Sequence, residues 1–239
     1  MEKLLLCLLL VSVAVSDALR PKLLPDDKEL VLKVGDEFTL ECHSERKIIW
    51  LYPRPGMEDS VVLDEQTDEN SSDYPFVSKI TVTTTEYLET GYYTCTDEEN
   101  KKQLIESHLA KIYVYVDDDE HLIAHDPNEF YIEGPEKEES VIPCKPTAPD
   151  ITMSLDPNFD DNGTPFNYDP HRGFVIAEVQ IIHSQYYDCR AARGSNEKNM
   201  EFALTVIPET EKPSPPHISI TTDNEHGHIA EVRPRMDHP

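Results

Sequence analysis

The chain has 239 residues, 47 of them acidic and 21 basic, for a formal charge of −26 at neutral pH. A surface that negative repels phosphate backbones and anionic lipid and instead suits a basic protein ligand, so nucleic acid and membrane surfaces are poor partners. With only 8 glycines there is no phosphate-cradling loop; G-x-S-x-G and H-E-x-x-H are also missing, so no catalysis, metal or cofactor is expected.

The first element is Lys3 followed by the apolar run Leu4 to Val15, with small residues at Ala14 and Ser16. The run is shorter than the ~20 residues a membrane helix needs. It reads as a secretory signal peptide over residues 1–16, cut after Ser16 or alternatively after Ala18. The mature chain is therefore expected to be secreted and extracellular. Cleavage removes Cys7 and leaves Cys42, Cys95, Cys144 and Cys189, an even number that in a secreted chain implies disulfides. Three pairings are open, and spacing favours the sequential one, Cys42–Cys95 with Cys144–Cys189. Without a C-x-x-C pair, zinc is the weaker use of these thiols.

Glu29 to Val34 alternates in the manner of a half-buried strand, Gly35-Asp36 turns the chain, and Phe38, Leu40 and Cys42 share one face of the next strand. Trp50, the only tryptophan, follows eight residues after Cys42, and Val77 to Thr85 reads as a further strand. Gly91-Tyr-Tyr93-Thr-Cys95 places a tyrosine two residues before the second cysteine. That is the tyrosine corner of an immunoglobulin-type sandwich, whose central indole packs on the disulfide. Ala110 to Val116 forms the last strand.

The pattern then repeats. Val141 to Cys144 leads to Ile151-Thr-Met153-Ser-Leu155; Phe174 to Ile182 is strand-like; Tyr187 stands two before Cys189; Glu201 to Ile207 closes the unit. Tryptophan is missing here, so Met153 or Leu155 must fill the space beside the disulfide, and Gln185 stands where the first repeat has Gly91. No helical periodicity of useful length intervenes. The expected fold is all-β: two tandem immunoglobulin-like β-sandwich domains, residues 17–116 and 117–208, each with one inter-sheet disulfide and with Trp50, Tyr93 and Tyr187 in the cores. Asp117 to Glu120 reads as a short solvated junction, and the Pro-rich stretch 209–239 as a disordered tail in which His217 to Thr222 resembles the start of a third unit.

Between strands, Asn70-Ser-Ser72 and Asn162-Gly-Thr164 are N-glycosylation sequons in turn-like segments. Asp156 to Gly163 has the wrong spacing for a calcium loop and reads as solvated. His121, His125, His226 and His228 read as exposed side chains, since their spacing defines no metal site.

Val141-Ile-Pro-Cys-Lys-Pro-Thr147 with Pro149 to Leu155, followed by His171-Arg-Gly-Phe-Val-Ile176, resembles the second immunoglobulin domain of the platelet-derived and vascular endothelial growth factor receptors. Residues 29–116 are similar to that family's first domain more loosely, through Glu29-Leu-Val-Leu32, Trp50 and Gly91 to Cys95. The resemblance implies a secreted binder of a dimeric cystine-knot growth factor, acting as a decoy or modulator chiefly through the second domain. The ligand-binding positions it implies are Phe159, Ile181, Tyr186 and Phe202. Two other readings stay open: the ligand-binding end of a receptor tyrosine kinase, and an adhesion-type binder of another cell-surface protein.

Overall fold

The structure, a computed structural model, describes residues 19–209 apart from 69, 160–162 and 164. The expected signal peptide, the tail beyond 209 with its histidines, and the Asn162 sequon lie outside the described residues.

The first sandwich is built from β1 (Lys22–Leu24), β2 (Glu29–Lys33), β3 (Phe38–Ser44), β4 (Ile48–Leu51), β5 (Val61–Thr67), β6 (Phe76–Val82), β7 (Gly91–Asp97) and β8 (Ala110–Asp117). One sheet runs β1-β3-β6-β5 and the other β2-β8-β7-β4, with β2 parallel to β8. The second sandwich has β9 (Tyr131–Pro135), β10 (Ser140–Ile142), β11 (Thr152–Asp156), β12 (Asn167–Asp169), β13 (Gly173–Ile176), β14 (Gln185–Arg193) and β15 (Asn196–Ile207). Its sheets run β10-β13-β12 and β11-β14-β15-β9, with β9 parallel to β15.

Each sandwich closes on its own core. Cys42–Cys95 bridges the first across 53 residues and Cys144–Cys189 the second across 45. Trp50 lies opposite Cys95 in register, and its Nε1–H donates to Ser78 Oγ at 3.0 Å, which satisfies the one polar atom of a buried indole. Leu155 lies opposite Cys189 and takes the equivalent place, while Met153 is only partly buried at the core's edge.

Both tyrosine corners close on backbone four residues upstream. Tyr93 Oη donates to the Glu89 carbonyl at 3.3 Å, and Tyr187 Oη to the His183 carbonyl at 3.1 Å. Ahead of each lies a 3-10 turn, Tyr87–Glu89 and Ile181–His183, whose last side chain accepts the capping N–H: Glu86 N–H to Glu89 Oε2, and Gln180 N–H to His183 Nδ1. This turn interrupts what reads from sequence as a continuous strand from Phe174 to Ile182; β13 ends at Ile176. Gly91 differs from Gln185 because a Cβ at Gly91 would meet the Pro53 Cβ at 2.8 Å.

Glu89 is buried, and burial raises its carboxyl pKa above the ordinary 4.5, with the Glu86 N–H and the Arg54 guanidinium at 3.8 Å opposing the rise only in part. The folded state therefore holds this proton more tightly than the unfolded chain, so its share of stability falls as pH climbs above 4.5. Glu89→Gln, which keeps the capping acceptor, is expected to stabilise the protein by about 1 kcal/mol at neutral pH. The gain should vanish in urea titrations run below the ordinary carboxylate pKa.

The junction leaves Asp119 and Glu120 exposed, yet it is also pinned by side chains of the second sandwich. Arg193, at the end of β14, binds Asp117 Oδ1 at 2.7 Å, Asp119 Oδ1 at 3.0 Å and Asp150 Oδ1 at 2.8 Å, and Asn196 Nδ2 donates to the Asp119 carbonyl. A row of aspartates that would otherwise repel is thereby fastened to the second sandwich. His121 stacks on Tyr87 with ring centroids 4.1 Å apart, and His125 is half-buried rather than exposed, its ring against Phe202.

Candidate ligand-binding face

β11 and β14 run antiparallel with Asp156 opposite Asp188. The loop after β11 and the 3-10 turn before β14 therefore emerge at one end of the second sandwich. Phe159 stands in that loop, 54% exposed; Ile181 (48%) and Ile182 (61%) lie in the turn; Tyr186 (60%) is the first outward residue of β14. Strand alternation explains the last: Tyr187 and Cys189 are fully buried, so Tyr186 faces outward. Three of the four positions implied by the resemblance thus gather at one end as large exposed apolar side chains.

The fourth does not. Phe202 is wholly buried, paired with Tyr187 across β14–β15 and packed in the second core. The reason is register: Gly194-Ser195 makes a two-residue turn between Arg193 and Asn196, with Gly194 at φ +60, and that pairing turns Phe202 inward beside the corner tyrosine. Phe202 supports the face from behind and presents no atom to a ligand. Tyr131, exposed at 70% on β9, is a member of the same outer face that sequence reasoning missed.

The corresponding face of the first sandwich is covered. Ile112, Val114 and Val116 of β8 point into the first core, while Tyr113 and Tyr115 point the other way and are still buried. What covers them is the β12–β13 turn of the second sandwich. His171 stacks on Tyr113 with centroids 4.0 Å apart; its Nδ1 meets Tyr92 Oη and its Nε2 meets Glu29 Oε1, each at 2.9 Å. Burial pushes the hydroxyl pKa of Tyr113 up and that of Tyr115 to about 12, so both rings remain neutral under this contact. The two domains are docked, and the open face belongs to the second.

Asn70 sits in an exposed turn. Among the described residues no three His, Cys, Asp or Glu side chains are grouped to hold a metal ion, and no helix is long and apolar enough to cross a membrane.

Residues 19–125 match the family model described as the VEGFR1-3 N-terminal Ig-like domain. The chain is 29% identical to the platelet-derived growth factor receptor alpha of Rattus norvegicus over 203 residues, which is 83% of this chain and 18% of that protein. It is 30% identical to the human platelet-derived growth factor receptor beta over 174 residues, 72% of this chain and 15% of that one. The chain thus spans less than a fifth of the length of these relatives. Among solved structures, the N-terminal eight Ig domains of Down Syndrome Cell Adhesion Molecule superpose with a TM-score of 0.51 at 14% identity, covering 80% of this chain and 24% of that one, a likeness of fold alone. The immunoglobulin-like domains of this chain are extracellular domains of the platelet-derived and vascular endothelial growth factor receptor family.

Proposed function

We propose that this chain is a secreted, receptor-like binder of a dimeric cystine-knot growth factor of the platelet-derived or vascular endothelial type. It takes the ligand chiefly through its second sandwich and so withholds it from signalling receptors. The observation that carries this reading is the gathering of Phe159, Ile181, Ile182 and Tyr186 at one end of the second domain. Large apolar side chains clustered on a chain of charge −26 cost solubility, and they suit an interface whose centre excludes water. The length of the relatives favours a second reading, in which the same face is the ligand-binding end of a receptor tyrosine kinase. Finding the protein in culture medium or held at the cell surface separates the two.

Surface binding to a panel of dimeric cystine-knot factors tests the shared part. Phe159→Ala and Tyr186→Ala are each expected to weaken binding about tenfold or more, at unchanged stability. Equal affinity of both variants and the parent would remove this face from the interface.

A further inference from the structure

The two tyrosine corners stand on the same turn, but different chemistry caps it. Ahead of Tyr93, the Glu89 carboxylate accepts the Glu86 N–H at 2.9 Å. Ahead of Tyr187, His183 Nδ1 accepts the corresponding Gln180 N–H at 3.0 Å. A backbone N–H can only donate, so Nδ1 is the unprotonated nitrogen of the ring and Nε2 carries the hydrogen. His183 is 4% exposed, and its Nε2 is buried without a hydrogen-bond partner.

This place accepts imidazole and refuses imidazolium. A second proton would sit on Nδ1, point at the Gln180 N–H and leave that donor unmatched as well. It would also bury a positive charge with no counter-charge, which is costly: among the described residues the histidines in ion pairs are His43, His121 and His171. The groups that face His183 are neutral. The Phe166 ring stands edge-on at 5.8 Å, the Tyr187 hydroxyl donates to the His183 carbonyl, and β15 turns Leu204 and Val206 inward. The charged groups of neighbouring segments are Glu136, Lys137 and Glu138 between β9 and β10, Glu209 paired with Lys137, and Glu178. They lie before the turn, where Val179 exchanges backbone hydrogen bonds with Lys137 and Glu138. On the far side, Ser184 Oγ accepts the Val206 N–H. Losing the bond between Gln180 and His183 therefore opens residues 180–183 and leaves the sandwich closed on either side of them.

We infer that His183 is an acid-released latch, which holds Ile181 and Ile182 on the outer face at neutral pH and frees them in mildly acidic surroundings. The consequence for a ligand rests on reading that face as a binding surface; the latch itself does not. The open turn binds a proton that the closed turn excludes, so opening is favoured as pH falls. Below about pH 6.5, where free histidine titrates, the ratio of open to closed turn rises about tenfold per pH unit. The cap of the first sandwich behaves otherwise, because a protonated carboxyl keeps an oxygen that accepts the Glu86 N–H.

The test is amide hydrogen exchange of the full mature chain between pH 7.5 and 5, resolved by NMR and corrected for the intrinsic rate. Protection of the Gln180 amide is expected to fall about tenfold per unit below about pH 6.5, and that of Glu86 by less than about twofold. His183→Gln offers the acceptor that Glu89 offers in the first sandwich and does not titrate, so it should keep Gln180 protected throughout. Constant protection of Gln180 in the parent overturns the latch. A fall shared equally by Gln180 and Glu86, which is unfolding of the whole chain, overturns it too, as does a fall that His183→Gln leaves unaltered. The comparison of Gln180 with Glu86 is made within the parent chain, so it decides the matter even where the variant fails to fold. No ligand enters the measurement. An acid-opened turn in a chain that takes no cystine-knot factor would support the latch and remove the growth-factor reading.

Discussion

Phe202→Ala is expected to destabilise the second sandwich by about 3–5 kcal/mol, the usual cost of deleting a large buried ring. For a domain of this size that corresponds to a fall in Tm of more than about 12 °C. Phe202 has no exposed surface, packs with Tyr187 and Leu204 in the core, and meets the half-buried ring of His125. Tyr186, its near neighbour on the adjacent strand, points the other way. Tyr186→Ala should alter stability by no more than about 0.5 kcal/mol while weakening ligand binding. The pair therefore separates support from contact. A Phe202→Ala chain of parental stability would contradict the inward register of β15.

The second large effect concerns the docking of the two sandwiches. His171→Ala removes a ring stacked on Tyr113, a hydrogen bond to Tyr92 Oη and one to the Glu29 carboxylate. It also uncovers Tyr113 and Tyr115, which are otherwise buried. Together these are expected to weaken docking by about 2–3 kcal/mol, a charged hydrogen bond and an aromatic contact supplying most of it. Trp50, the sole tryptophan, lies in the first sandwich and reports on that unit alone. In the parent chain, urea transitions followed by Trp50 fluorescence and by circular dichroism should coincide. In the variant the dichroism should split, with the fluorescence tracking only one of the two phases. Coincident and unshifted transitions in the variant would show that the histidine carries no coupling, leaving the Arg193 contacts with Asp117, Asp119 and Asp150 to hold the junction.

The sandwich pattern was plain in the sequence because cysteine, tryptophan and the corner tyrosines mark core positions that little else can fill. Cys42 and Cys95 with Trp50 and Tyr93 fix one core, and Cys144 and Cys189 with Leu155 and Tyr187 fix the other. The candidate face was legible only in part. Phe159, Ile181 and Tyr186 are exposed, as positions implied for a ligand contact need to be, whereas Phe202 is buried because the phase of β15 depends on its hairpin partner. Gly194-Ser195 held the missing information: a two-residue turn there pairs Arg193 with Asn196 and so brings Tyr187 opposite Phe202. The covered face of the first sandwich also had a signal. Ile112-Tyr-Val-Tyr-Val116 is apolar on both alternating faces, which an exposed strand does not need and a strand packed on two sides does. What no local pattern carries is the partner that covers it, since His171 lies 58 positions beyond Tyr113 and is brought there only by the packing of one sandwich on the other. The edge strands β5 and β9 were missed for a related reason: β5 is exposed along nearly all its length and shows no core-facing alternation.

In the proposed function the open outer face of the second sandwich, and not the covered face of the first, takes the ligand. Hydrogen exchange of the chain alone and with a bound cystine-knot growth factor tests it most directly. New protection is expected over residues 156–159, 181–190 and 199–205, with β7 and β8 of the first sandwich unchanged. Protection confined to the first sandwich, with the second exchanging as in the free chain, would contradict it.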